Sequence, residues 1–88
     1  MKQIEEITKI INNLKSSKEI HQFFSEIFTQ NELETLSKRW RILNMLKNGA
    51  TQRNIANELN VSLCKVTRGA KILKNKNAIV TKYLTKEN

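Results

Sequence analysis

The sequence predicts an all-α protein of six helices, assembled as a homodimer and carrying a helix-turn-helix. Pro is absent and Gly occurs only at Gly49 and Gly69, a composition that favours helices over strands. Apolar residues recur at intervals of three and four along most of the chain, as on one face of a helix. A chain of 88 residues with 39% hydrophobic residues has little core to bury alone, so we expect a second copy to complete it.

Three helices are predicted in the first half of the chain. Ser16 and Ser17 interrupt the first apolar stripe, and the second stripe ends before Thr29. Thr29 and Glu32 have the spacing of a capping box, in which each side chain satisfies the other residue's backbone N–H at the start of the third helix. The three stripes contain, in order, Ile4, Ile7, Ile11 and Leu14; Ile20, Phe23, Phe24, Ile27 and Phe28; and Leu33, Leu36, Trp40, Leu43 and Leu46.

The second half is predicted to hold three shorter helices. Asn48-Gly49 ends the third helix, Thr51 caps a fourth from Gln52 to Leu59, and Ser62 caps a fifth that runs to about Leu73. After a break at 75–77, a last helix contains Ile79, Val80, Tyr83 and Leu84. We therefore predict a single domain over 1–88, with dimerisation and core helices in 1–48, a helix-turn-helix in 51–73 and a C-terminal helix in 77–86.

Charge is distributed unevenly along the chain. The net charge is +8, and all of it lies in residues 29–88, because residues 1–28 hold four Lys and four Glu. A neutral segment joined to a basic one predicts a scaffold and a surface that binds a polyanion.

Composition argues against several functional classes. The chain has no Asp, His21 is its only His, and no Cys/His/Glu set has metal-ligand spacing, so we expect neither an enzyme nor a metal protein. Cys64 is the only Cys and has no partner for a disulfide within the chain. No apolar run is long enough for a signal peptide or a membrane span, so we expect a cytoplasmic protein without membrane contact.

Residues 51–72 have the pattern of a helix-turn-helix. Ala56 is small where the second helix must cross closely, and the positions that hold the angle between the helices are apolar: Ile55, Leu59, Val61 and Val66. Residues 50–76 also contain six Lys or Arg and one Glu. We interpret the segment as a reader of double-stranded DNA whose second helix enters the major groove.

Two kinds of DNA contact are expected from these helices. Phosphate contacts position the protein, and base contacts read the sequence. The predicted phosphate contacts are Gln52, Lys65, Lys71 and Lys74; Arg53 and Thr67 are predicted to reach base edges, and Leu63 and Cys64 to meet thymine methyl groups.

The stretch from Phe28 to Lys74 resembles the bacterial tryptophan repressor family. The resemblance rests on L-x-x-R-x-R-I at 36–42, T-Q-R-x-I-A at 51–56 and V-T-R-G at 66–69, the last being the most specific. It implies an intertwined homodimer that binds L-tryptophan as corepressor and then binds a palindromic operator. It further implies control of genes for tryptophan synthesis or transport.

The resemblance also implies a ligand site. The indole ring is expected between Arg39 and Arg68, with room left by Gly69. Guanidinium groups suit this role because they stack on aromatic rings and donate hydrogen bonds to carboxylates. Leu43 is expected beside Arg39. Backbone carbonyls near Phe28 of the other subunit, with Thr29 close by, are expected to hold the ligand's amino group.

The chain departs from the family at one place in this site. Members usually have R-G-S-N-x-L-K where this chain has R-G-A-K-I-L-K, so Lys71 and Ile72 replace residues near the ligand. Two alternatives therefore stay open: a DNA-binding protein of the same fold that does not depend on tryptophan, and a basic helical module that docks an acidic protein.

Overall fold

The computed structural model describes residues 2–86, with side chains up to residue 84. These residues form six helices and no strand, which confirms the all-α prediction. The helices are α1 (Lys2–Asn13), α2 (Ser17–Ile27), α3 (Gln30–Lys47), α4 (Gln52–Leu59), α5 (Leu63–Lys74) and α6 (Ile79–Lys86).

The helices begin at polar caps, as predicted. The Thr29 backbone N–H donates to Glu32 Oε1 over 2.8 Å, and the Glu32 N–H donates to Thr29 Oγ1 over 3.1 Å, which completes the capping box. Thr51 accepts from the Asn54 N–H at the start of α4, and Ser62 accepts from the Lys65 N–H at the start of α5. Local sequence signals therefore fixed these three helix starts.

Two left-handed residues end α3 and α4. Gly49 has φ +94°, and the chain reverses there because the N–H groups of Gly49 and Ala50 donate to the carbonyls of Leu46 and Met45. Asn60 has φ 54° and closes α4, with the Val61 N–H donating to the Ala56 carbonyl over 3.0 Å. The turn between α4 and α5 is thus only three residues long, 60–62.

The chain forms two compact units, residues 1–34 and 35–88. No residue of α1 or α2 in the first unit is buried. Its closest aromatic contact is the edge-to-face pair of Phe24 and Phe28, whose ring centroids are 5.5 Å apart.

The second unit holds the hydrophobic core. Ile42 of α3 packs with Ile55 and Leu59 of α4 and with Val66 of α5, and each of the four is at most 4% exposed. Leu84 of α6 is 2% exposed, and its backbone carbonyl accepts a hydrogen bond from Lys47 Nζ over 3.0 Å.

One edge of α3 is uncovered in the single chain. Leu36 and Trp40 belong to the predicted apolar stripe of this helix, and each is 41% exposed. The core side of α3 is built from Leu43 and Leu46 of that stripe together with Ile42, which the stripe does not include.

Candidate functional site

The helix pair α4–α5 is held from inside by the apolar residues that the sequence assigned to it. Ile55 and Val66 are fully buried and Leu59 is 4% exposed. Ala56 and Val61 pack against this cluster from α4 and the turn. The pair therefore presents its polar side chains outward from a fixed core.

The side chains predicted to contact DNA lie on the outer surface of this pair. Thr67 lies against both helices, because its hydroxyl is 2.9 Å from Gln52 Oε1 and 3.0 Å from the Leu63 carbonyl, and its single hydrogen can be donated to either acceptor. Gln52 is half-buried, and its amide N–H groups remain to donate outward. The exposed members of the set are Arg53, Leu63, Cys64, Lys65, Thr67, Lys71 and Lys74.

A cavity of about 150 Å³ lies between α3 and α5 in the second unit. A cavity of this volume admits a single aromatic ring. Four of the predicted ligand residues line it, namely Arg39 and Leu43 from α3 and Arg68 and Gly69 from α5. Its remaining lining residues are Ile42, Lys65 and Ile72.

Gly69 has a packing role that the sequence analysis did not identify. A Cβ atom added there would lie 3.0 Å from Ile42 Cγ2 and 3.4 Å from Leu46 Cδ1. Because Gly69 has no side chain, α5 can approach α3 this closely. The glycine thus sets the spacing of the two helices that bound the cavity.

The other two predicted ligand residues, Phe28 and Thr29, belong to the first unit. Phe28 ends α2 and is 36% exposed. The Thr29 hydroxyl oxygen is engaged as the cap of α3.

Three lining residues had no ligand role in the sequence analysis or a different one. Ile42 was not assigned to the site, Lys65 was assigned to phosphate contact, and Ile72 was noted only as a departure from the family. Helical spacing could have found them, because Ile42 lies three residues after Arg39, and Lys65 and Ile72 lie three before and four after Arg68.

The charge around the cavity is strongly positive. Residues 35–88 contain twelve Lys or Arg and two Glu, and Glu58 is the only acidic residue there whose side chain the structure describes. Arg39, Lys65 and Arg68 line the cavity without an acidic neighbour in the lining. Within residues 2–86, no group of three or more His, Cys, Asp or Glu could hold a metal ion, and no helix is long and apolar enough to cross a membrane.

Comparison with known proteins identifies the family. The family model described as Trp repressor protein matches residues 2–88. The chain belongs to the Trp repressor family. This confirms the resemblance seen in the sequence and extends it to α1, α2 and α6. Members of the Trp repressor family are regulatory proteins rather than enzymes.

Curated relatives fall within the same family or near it. A Trp operon repressor homolog of Xylella fastidiosa (strain M23) is 38% identical over 74 residues, which covers 83% of this chain and 80% of the relative. A Trp operon repressor homolog of Chlamydia caviae is 33% identical over 67 residues, 75% of this chain and 66% of the relative. The uncharacterized protein YerC of Bacillus subtilis is 30% identical over 67 residues, 76% of this chain and 64% of the relative. No solved structure matches the chain significantly.

Proposed function

We propose that this protein is a homodimeric, DNA-binding transcriptional repressor that uses L-tryptophan as corepressor. The observation that carries the proposal is the α3–α5 cavity, because it places Arg39, Arg68 and Gly69 together directly behind an exposed, basic helix pair. The relatives named Trp operon repressor homolog support it. We place the protein in the cytoplasm, with genes of tryptophan synthesis or transport as its targets.

DNA is proposed to bind the outer surface of α4 and α5, which act as a helix-turn-helix. Lys65, Lys71 and Lys74 contact phosphates together with Gln52, whose amide is oriented by Thr67. Arg53 and Thr67 reach base edges, and Leu63, which is 49% exposed, meets thymine methyl groups with Cys64.

L-Tryptophan is proposed to bind in the α3–α5 cavity. Its indole ring stacks between the guanidinium planes of Arg39 and Arg68, beside Leu43 and over Gly69. Arg68 also donates to the carboxylate. Phe28 and Thr29 of the other subunit hold the amino group.

The ligand is proposed to act as a wedge behind α5. The cavity has α3 on one side and α5 on the other, so a ring inserted there sets the position of α5 relative to the core. Two copies of α5 must lie one DNA turn apart to enter successive major grooves. If the ligand selects that spacing, DNA must raise the affinity for the ligand by the same factor as the ligand raises the affinity for DNA.

The homodimer is proposed to form through residues 1–48. Large apolar side chains in this range are exposed in the single chain although each lies on an amphipathic helix: Ile4, Ile10, Ile20, Ile27, Leu36 and Trp40. A second copy would cover them. Analytical ultracentrifugation at micromolar concentration should give twice the mass of one chain, and a mass of one chain would contradict the dimer.

Isothermal titration calorimetry with L-tryptophan tests the ligand site. Saturable binding is expected at one site per chain, with Arg39→Ala and Arg68→Ala each weakening it at least about tenfold, since each removes a stacking and charged partner. Arg41→Ala is the matched control, because Arg41 is exposed on α3 and does not line the cavity. No heat of binding, or equal loss in the control, would contradict the site.

Selection of bound duplexes from a random DNA library, with and without L-tryptophan, tests DNA recognition. Enrichment of a palindromic sequence is expected only when the ligand is present. Affinity for that sequence should fall steeply with salt, and Lys71→Gln should lower the slope by about 1. Lys15→Gln in the first unit is the control and should leave the slope unchanged. Absence of any DNA binding would favour the module that docks an acidic protein.

A second candidate is a DNA-binding repressor of the same fold without tryptophan dependence. Ile72 favours it, because its side chain lines the cavity and can neither donate nor accept a hydrogen bond. Enrichment of the same DNA sequence with and without L-tryptophan, together with no heat in calorimetry, would select this candidate.

A further inference from the structure

A second recess in the 35–88 unit carries an inference that goes beyond the proposed tryptophan and DNA sites. It has a volume of about 110 Å³ and lies beside the turn between α4 and α5. Its polar lining consists of Thr35, Lys38 and Arg39 of α3, Asn60 of the turn and Lys65 of α5, and two aliphatic side chains complete it. We call it the Lys38 recess.

Three cationic side chains line the Lys38 recess. Lys38 is half-buried, and the exposed Arg39 and Lys65 line it from α3 and α5. No acidic residue lines the recess, so no carboxylate of the lining balances these charges. Like charges held together destabilise a fold unless an opposite charge lies between them, and a bound anion supplies that charge.

A neutral side chain and a helix end also fit an anion in the recess. Asn60 can donate through its amide. The recess lies at the end where α5 begins, since Asn60 and Val61 precede the helix and Lys65 is in its first turn. The N-terminal end of a helix carries partial positive charge.

The size of the recess fits a single oxyanion group. A volume of about 110 Å³ is several times what one water molecule needs, and it accommodates a tetrahedral or planar oxyanion group. Most of its lining comes from α3 and the turn, and Lys65 is the one lining residue that is also a proposed DNA contact.

The Lys38 recess shares two of its cations with the ligand cavity. Arg39 and Lys65 line both. An anion in the recess therefore either competes with a ligand in the α3–α5 cavity for the guanidinium and ammonium groups, or holds these groups in position for that ligand. Either effect makes the two sites energetically coupled.

We propose that the Lys38 recess binds a small oxyanion group, a phosphate, sulfate or carboxylate, and that Arg39 and Lys65 couple it to the α3–α5 cavity. The group comes either from a free anion or from the acidic end of a ligand whose ring occupies the cavity. The chemistry is the same for both sources: charge-assisted hydrogen bonds from Lys38, Arg39 and Lys65.

Inorganic phosphate and L-tryptophan are the two probes of the test, each titrated into the purified full chain by calorimetry at constant ionic strength. Lys38→Gln is the main variant, because Lys38 lines the recess and not the ligand cavity. Lys82→Gln is the control, since Lys82 is exposed on α6, lines neither site and removes the same charge. Asn60→Gly is a second recess variant that keeps the left-handed backbone and removes the amide.

If the recess binds a free anion, phosphate binds the unmodified chain, and Lys38→Gln lowers the phosphate affinity at least about threefold. Asn60→Gly also lowers the phosphate affinity. L-Tryptophan affinity is then equal in Lys38→Gln and the control, and it changes when phosphate is added. If the anion is the acidic end of the ligand, phosphate alone gives no heat and Lys38→Gln weakens L-tryptophan at least about threefold.

Equal phosphate and L-tryptophan affinities in Lys38→Gln, Asn60→Gly and the control would overturn the proposal. So would a loss confined to DNA affinity in Lys38→Gln, because that would assign Lys38 to the DNA backbone. Failure of the repressor function is distinguishable from both, since the phosphate titration contains neither DNA nor tryptophan.

Discussion

The two compact units of this chain differ in net charge and in how much apolar surface they bury. Residues 1–34 carry four Lys and six Glu, a net charge of −2, and no residue of α1 or α2 is buried. Residues 35–88 carry twelve Lys or Arg and two Glu, a net charge of +10, and contain all the buried apolar side chains among those that the structure describes.

The 88 residues therefore contain one unit with its own core and one unit whose helices leave apolar surface exposed. The second unit has an interior of its own and can present a positive surface without a partner. The first unit has amphipathic helices with no interior, and about half of the Ile4 and Ile27 side-chain surface is exposed. This exposed apolar surface is what the proposed homodimer would cover.

The largest expected effect comes from the core of the second unit. Ile55→Ala should lower the free energy of unfolding by about 2–5 kcal/mol, because Ile55 is 0% exposed and the truncation leaves a cavity among Ile42, Leu59 and Val66. Chemical denaturation measures the loss. Ile79→Ala is the control, since Ile79 is 70% exposed and should cost less than about 0.5 kcal/mol.

Measuring the free energy of unfolding of Ile4→Ala alongside that of Ile55→Ala tests the difference between the units. The cost of Ile4→Ala should depend on protein concentration, because a side chain covered by a second copy is buried only in the dimer. If Ile4→Ala and Ile55→Ala lower the free energy of unfolding equally at every protein concentration, Ile4 is not buried by a second copy and the proposed difference between the units is wrong.

The two glycines of the second unit are expected to have intermediate effects for different reasons. Gly69→Val should lower the free energy of unfolding by about 1–3 kcal/mol, since its Cβ would meet Ile42 Cγ2 at 3.0 Å and push α5 from α3. Gly49→Ala should cost about 1 kcal/mol from its φ of +94° alone, because no atom lies within 4 Å of the added Cβ. Thermal unfolding measures both, and an unchanged stability of Gly69→Val would contradict the packing role.

An effect about as small as that of Gly49→Ala is expected at the cap that precedes α3. Thr29→Ala should cost about 1 kcal/mol, because it removes the acceptor of the Glu32 N–H at 3.1 Å. Thr29→Ser keeps the hydroxyl and should retain most of the stability. Thr8→Ala is the control in the same unit, since the Thr8 hydroxyl only donates to the Ile4 carbonyl on the helix surface. Equal losses for Thr29→Ala and Thr8→Ala would show that the capping box does not stabilise this unit.

Much of the architecture was predictable because its causes are local. The starts of α3, α4 and α5 follow from Thr29, Thr51 and Ser62, each of which accepts a backbone hydrogen bond three residues along the chain. The buried residues of the α4–α5 pair follow from helical spacing. The family followed from V-T-R-G and its companion motifs, and the match over 2–88 confirmed it.

Other features required the fold. The exposure of Trp40 depends on which side of α3 meets α4 and α5, and periodicity alone did not distinguish the Trp40 edge from the Ile42 edge. Lys65 lies 26 residues from Arg39, so its place in both cavities depends on how α5 crosses α3.

The sequence by itself determined the helices, their ends, the uneven charge and the family, because hydrogen bonds and apolar periodicity act over three or four residues. Only the tertiary structure decided that Gly69 abuts Ile42, that Arg39 and Arg68 line one cavity, and that Lys38 and Lys65 meet in a second recess. The physical reason is that these contacts join side chains from different helices, and their distances are set by how closely the helices pack.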